Sequence, residues 1–148
     1  MKETLQQIFQ NLISEKQPPE SQDYNIKTAT CVLFLELAYA DFNIANEEEA
    51  EMIKSLQNFF GLPQGDILEL MAIAQEKRSK TTDIWHFTNQ IKENFARDKK
   101  TAILEMLWKL VYADGYMDKY EEALMRKITT LLGLTHGEMI QAKLKARM

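Results

Sequence analysis

Four carboxylates stand within nine residues at Asp114, Asp118, Glu121 and Glu122. Hard oxygen donors at that density suit a divalent cation such as Ca²⁺, Mg²⁺ or Mn²⁺, and Zn²⁺ also accepts carboxylate ligands. The spacing is not that of an EF-hand. Counted from Asp114, the sixth position is Lys119 where that loop needs Gly, and the twelfth is Met125 where it needs Glu. A second, poorer set lies upstream, where Asp41 and Glu49 have Asn43, Glu47 and Glu48 nearby but Ala45 in place of a further aspartate. The same residues have a purely structural use. Asp118 and Asn46 are good N-cap types, and Glu in a first helical turn opposes the helix dipole. Cation binding and capping therefore both stand as readings of these loops.

No catalytic constellation competes with them. Cys31 is the only cysteine and sits in the most apolar stretch of the chain, where a thiol is an inert core group. His86, between Trp85 and Phe87, and His136 share no metal-ligand spacing. Trp85, Trp108, Tyr39 and Tyr112 read as core aromatics. Lys77-Arg78-Ser79-Lys80 and the group Arg97, Lys99 and Lys100 read as solvated helix ends. The sequence contains no phosphate-cradling Gly loop, nucleophile elbow, zincin helix or CxxC pair. It therefore assigns no catalytic residue and no organic cofactor.

The elements that must position the loops are helices. Leu5, Ile8, Phe9, Leu12 and Ile13 form one amphipathic stripe, closed by Pro18-Pro19. From about Ile26 to Ala40 the chain is apolar on nearly every face, as in a helix packed on several sides. Asn46 with Glu49 has the capping-box spacing. It opens a helix through Met52, Ile53, Leu56, Phe59 and Phe60, with Gly61 as the left-handed residue that ends it. A helix after Pro63 carries Ile67, Leu70 and Met71, and Ile84, Phe87, Ile91 and Phe95 make another stripe. Asp98 is placed to cap a second mostly apolar helix, Ile103 to Tyr112, and Asp118 the one after it. Thr135 with Glu138 opens the last, whose Lys143, Lys145 and Arg147 complement the dipole. About eight helices result, and no period-2 strand pattern appears.

Composition agrees. At 148 residues, with 45% hydrophobic and 27% charged residues, the chain is long enough for a core of its own. A net charge of −4 argues against nucleic acid as the main partner. The polar residues after Met1-Lys2-Glu3 do not read as a secretory signal. No apolar run approaches the roughly 20 residues of a membrane span, although peripheral membrane association stays open. One cysteine fits a reducing cytoplasm.

An internal repeat organises these helices. Asp41 and Asp114 each end a Tyr-Ala-Asp triplet, an offset of 73 (114 − 41). Between residues 37 and 54 that offset gives nine identities in eighteen positions, including Leu37 with Leu110, Tyr39 with Tyr112 and Met52 with Met125. At offset 72, Gly61-Leu62 matches Gly133-Leu134. One unit cannot bury its apolar face alone, so the copies are expected to pack on each other as a pseudo-two-fold bundle. They span residues of about 30–70 and 103–143 within a helical domain of residues 26–148, with residues 1–25 an N-terminal helix and linker.

The second copy, Ala113-Asp114-Gly115-Tyr116-Met117-Asp118-Lys119-Tyr120-Glu121, resembles the Ala-Asp-Gly-x-(Ile/Leu)-Asp-x-x-Glu signature of the TerB-like tellurite-resistance family. Asp83-Ile84-Trp85-His86-Phe87-Thr88 upstream and Leu132-Gly133-Leu134-Thr135-His136 with Ala142-Lys143-Leu144 downstream agree with one bacterial branch of it. The first copy departs, with Phe42 for the glycine and Ala45 for the second aspartate. The resemblance implies an all-α, single-domain bacterial cytoplasmic protein without enzymatic activity, linked to tellurite and stress resistance. Its acidic residues are the ones suspected of holding a metal cation. A similar domain in a membrane-anchored co-chaperone points to the alternative, a scaffold for a partner protein. On the cation reading the ligands are Asp114, Asp118, Glu121 and Glu122, and Asp41 with Glu49 are the lesser set.

Overall fold

The computed structural model describes residues 22–39, 46–113 and 119–147. Those residues form seven helices and no strand: α1 (Gln22–Ala38), α2 (Asn46–Phe60), α3 (Gln64–Ser79), α4 (Trp85–Asn94), α5 (Arg97–Tyr112), α6 (Lys119–Leu131) and α7 (His136–Ala146). The fold is all-α, as the periodicities require. About eight helices were expected, and the stripe from Leu5 to Ile13 lies outside the described residues.

α1 is the central helix. Cys31 to Leu35, Leu37 and Ala38 are all buried, so no single face carries the apolar residues. Its two buried threonines donate within the helix, Thr28 Oγ1 to the Tyr24 carbonyl and Thr30 Oγ1 to that of Ile26, both at 2.9 Å. Those bonds remove the cost of burying free hydroxyls.

The repeat is visible in the packing. α1 lies along α3 as α5 lies along α7, and the copies cross, α1 touching α6 as α5 touches α2. Leu37 and Leu110 are both buried, and so are Met52 and Met125. The helix ends match as well. Gly61 and Gly133 have φ of +66° and +77°. In each copy the Leu that follows donates five residues back, Leu62 to Gln57 at 3.2 Å and Leu134 to Thr129 at 3.0 Å. A left-handed residue at that place lets the chain reverse over the last turn, and Gly adopts it without a Cβ clash.

Not every aromatic of the repeat is internal. Tyr39, expected in the core, is 38% exposed, with the Arg78 guanidinium 5.3 Å from its ring centroid. Tyr112 is half-buried and stacks on Trp108 at 6.0 Å. Trp85 is 55% exposed, not a core residue. It sits at the first position of α4, and the buried face of that helix runs through Ile84, Phe87 and Ile91.

The caps divide. Thr135 and Glu138 form the expected capping box, with Glu138 N–H donating to Thr135 Oγ1 at 3.1 Å and Thr135 N–H to Glu138 Oε1 at 2.9 Å. Asp98 does not cap α5. The helix begins earlier, from an extended Ala96, and Asp98 falls in its first turn, where its charge still opposes the dipole. The Asp118 cap lies outside the described residues, as does the side chain of Asn46.

Candidate functional site

α5 runs into the second acidic loop and α6 leaves it, because the apolar run ends at Tyr112 and the amphipathic one starts at Lys119. Asp114 and Asp118 lie outside the described residues, and so does Asp41 of the first loop. The carboxylates of the second copy that are described differ sharply. Glu121, in the first turn of α6 and three residues after Asp118 in the chain, is only 3% exposed and is an engaged group. Glu122 points outward and accepts from Arg126 Nη2 at 2.8 Å, one turn along the helix. In the first copy Glu49, the counterpart of Glu122, is exposed on α2. Among the described residues no three His, Cys, Asp or Glu side chains converge as a metal would need.

Elsewhere in the bundle the basic residues do more than solvate helix ends. Arg78 was expected to be a solvated end. Instead it reaches 42 residues back, donating from Nε to Glu36 Oε1 at 2.7 Å while covering Tyr39. Lys100 is buried at 9% exposure and donates from Nζ to the Leu132 carbonyl at 3.1 Å. Arg97 binds both oxygens of Glu138, at 2.7 Å and 2.6 Å. That pair and the Thr135 backbone bond lower the Glu138 carboxyl to a pKa of about 2. The basic residues of α7 act on side chains of α5 as well as on the dipole. Lys143 Nζ stands 5.2 Å from the Trp108 ring centroid, and the Arg147 guanidinium 5.8 Å from that of Tyr112. None of these long-range pairs was legible in the sequence, because each joins residues whose spacing carries no local pattern.

Cys31 is fully enclosed, and burial pushes its thiol up to about 12, so it offers no nucleophile near neutral pH. His86 is exposed beside Phe87, with ring centroids 5.4 Å apart, and His136 is exposed at the start of α7.

The arrangement of a central apolar helix, two loop-bearing copies and a Gly-Leu turn in each agrees with comparison to known proteins. The family model for Tellurite resistance protein TerB matches residues 27–144. The chain belongs to the TerB family. No curated protein matches it. Among solved structures, it is similar to a crystal structure of a protein of unknown function, PG1108, from Porphyromonas gingivalis W83. The TM-score is 0.64 at 22% identity, covering 84% of this chain and 94% of that one. That likeness extends the TerB-type helical fold to a second chain. No helix among the described residues of this TerB-family protein is long and apolar enough to cross a membrane.

Proposed function

We propose that this TerB-family chain is a non-enzymatic module that takes a divalent cation at its second acidic loop. The observation that supports this reading best is the burial of Glu121. A carboxylate so placed is already engaged within the fold, and its position rather than any unmet need is what bears on the reading. This one is drawn inward directly after a segment that carries Asp114 and Asp118. Glu121 and the two aspartates would supply hard oxygen donors suited to Ca²⁺, Mg²⁺ or Mn²⁺. Glu122, held by Arg126, would contribute less, and the first loop, with Ala45 and an outward Glu49, less again. In a cytoplasmic stress or metal-resistance setting such a site would buffer or sense the ion.

The test is cation-dependent unfolding. Wild type should gain stability with cation concentration as RT ln(1 + [L]/Kd). Asn is as good an N-cap type as Asp but carries no charge, so Asp118→Asn should melt like wild type without metal and gain much less with it. Glu121→Gln should also gain less. Equal gains in wild type, Asp118→Asn and Glu121→Gln, with each of Ca²⁺, Mg²⁺, Mn²⁺ and Zn²⁺, would remove the loop as a metal site.

A second reading has its own support. Trp85 and Tyr120 are 55% and 67% exposed, and Leu68 and Leu144 are also outward. Large apolar side chains on the surface suit a scaffold that docks a partner protein, with the carboxylates acting as caps. A flat response to every cation would favour it.

A further inference from the structure

The basic run Lys77-Arg78-Ser79-Lys80 divides between two sides of α3. Arg78 turns to Glu36 and Tyr39, whereas Lys77 and Lys80 border a separate groove of about 240 Å³. α4 packs on α1 and on α6, and α1 packs along both α3 and α4, but no comparable packing joins α3 to α4. The end of α3 and the start of α4 therefore stand apart over α1, and the groove opens between them. Its floor is Ala29 of α1 and Phe87 of α4, both buried. Lys77, Lys80, His86 and Gln90 line the rest.

What these side chains have left to offer is donors. The lining hydroxyls are spent, Thr28 Oγ1 donating to the Tyr24 carbonyl and Thr81 Oγ1 to that of Lys77, both at 2.9 Å. Lys80 keeps Glu76 at 3.0 Å, one carboxylate oxygen for a group with three N–H donors. Among the described residues, Lys77 is partly buried and has no acid within ion-pair distance. His86 adds a ring N–H and Gln90 an amide. No carboxylate lines the groove, although the chain carries 22 acidic residues against 18 Lys and Arg. Offsetting the dipole of α3 would account for cations at its end. It does not account for donors from the first turns of α4 converging with them over an apolar floor, beside the positive end of the α4 dipole.

We propose that this groove binds the phosphoryl group of a phosphate monoester. Two ammonium groups match a dianion, and Lys meets phosphate as a point charge, without the flat fork with which Arg suits a carboxylate. The volume is below the roughly 300 Å³ at which pockets for whole drug-sized ligands begin, so it takes the phosphate and little of what carries it. A soluble ester and a phosphatidic acid head group present the same chemistry. The proposal does not rest on the acidic loop.

Titration of the full chain with inorganic phosphate, followed by amide spectra at constant ionic strength so that screening does not change, tests it. The signals of Lys77, Lys80, His86 and Gln90 should shift and saturate. Lys77→Gln should weaken the apparent affinity about tenfold or more, and Lys145→Gln, on α7 and away from the groove lining, should leave it unchanged. Vesicles of phosphatidylcholine with and without phosphatidic acid separate the sources. Sedimentation with phosphatidic acid that Lys77→Gln abolishes assigns the phosphoryl group to a lipid, and no sedimentation assigns it to a soluble ester. Shifts that do not saturate, that spread evenly over the exposed lysines, or that persist at full strength in Lys77→Gln overturn the proposal.

Discussion

Lys100, in the first turn of α5, donates from Nζ to the Leu132 carbonyl at the far end of α6, 3.1 Å away and out of contact with water. The last carbonyls of a helix lack internal partners, and a cation there also meets the negative end of the dipole. One side chain thus closes the end of α6 and ties it to the start of α5. Lys100→Met keeps the aliphatic stem and removes the ammonium. It should cost about 1.5–3 kcal/mol in denaturant melts with an unchanged m value, the range for a hydrogen bond to a charged group. A loss no larger than that of Lys99→Met, an exposed neighbour, would show that the bond contributes nothing.

Acid should weaken the Arg97–Glu138 contact in a defined window. The folded Glu138 carboxyl is lowered to about 2, below the ordinary value of about 4.3 for an unfolded glutamate. A depressed pKa means the contribution is complete above the unfolded value and is lost as pH falls through the folded one. The stability difference between wild type and Glu138→Gln should therefore be constant above about pH 5 and shrink towards pH 2. Gln still completes a capping box, so the comparison isolates the charge. A difference independent of pH across that window would refute the pairing.

Phe34 and Leu110 are both wholly buried, one in each copy. Truncation of either to Ala should cost about 2–5 kcal/mol. Losses below about 1 kcal/mol would place them outside the core on which both helices depend.

The two tryptophans should separate optically. Trp108 is fully buried under Lys143, and Trp85 is half in water. Iodide should quench only part of the emission, and Trp85→Phe should abolish the accessible part. Complete quenching of the wild type would contradict the burial of Trp108.

What could be read from the sequence followed from local pattern. The seven described helices, the left-handed Gly61 and the Thr135–Glu138 box each rest on spacing within a few residues, and the repeat on matching runs 73 positions apart. The Asp98 cap failed because the chain turns helical at Arg97, before the apolar run begins. Tyr39 and Trp85 were placed in the core by residue type alone. An aromatic at a helix end can instead lie flat under an Arg or face water, and only tertiary packing decides. At the candidate site, sequence supplied the four carboxylates but could not distinguish Glu121 from Glu122. The two are adjacent, so the helix turns them about 100° apart, one inward and one towards Arg126.

The placement of α4 bears on how the chain folds. In sequence it stands between the copies, but in space it lies on one helix from each. The strongest remaining partnerships, α1 with α3 and α5 with α7, close within a single copy, and such short-range contacts favour rapid formation. Each half can thus gather early, yet neither is finished until α4 lies across both. In a state where the halves have parted, the stripe Ile84, Phe87 and Ile91 loses the cover of one of the two helices it lies on. Separation and melting should then be one event, a single cooperative transition with no long-lived half-folded form.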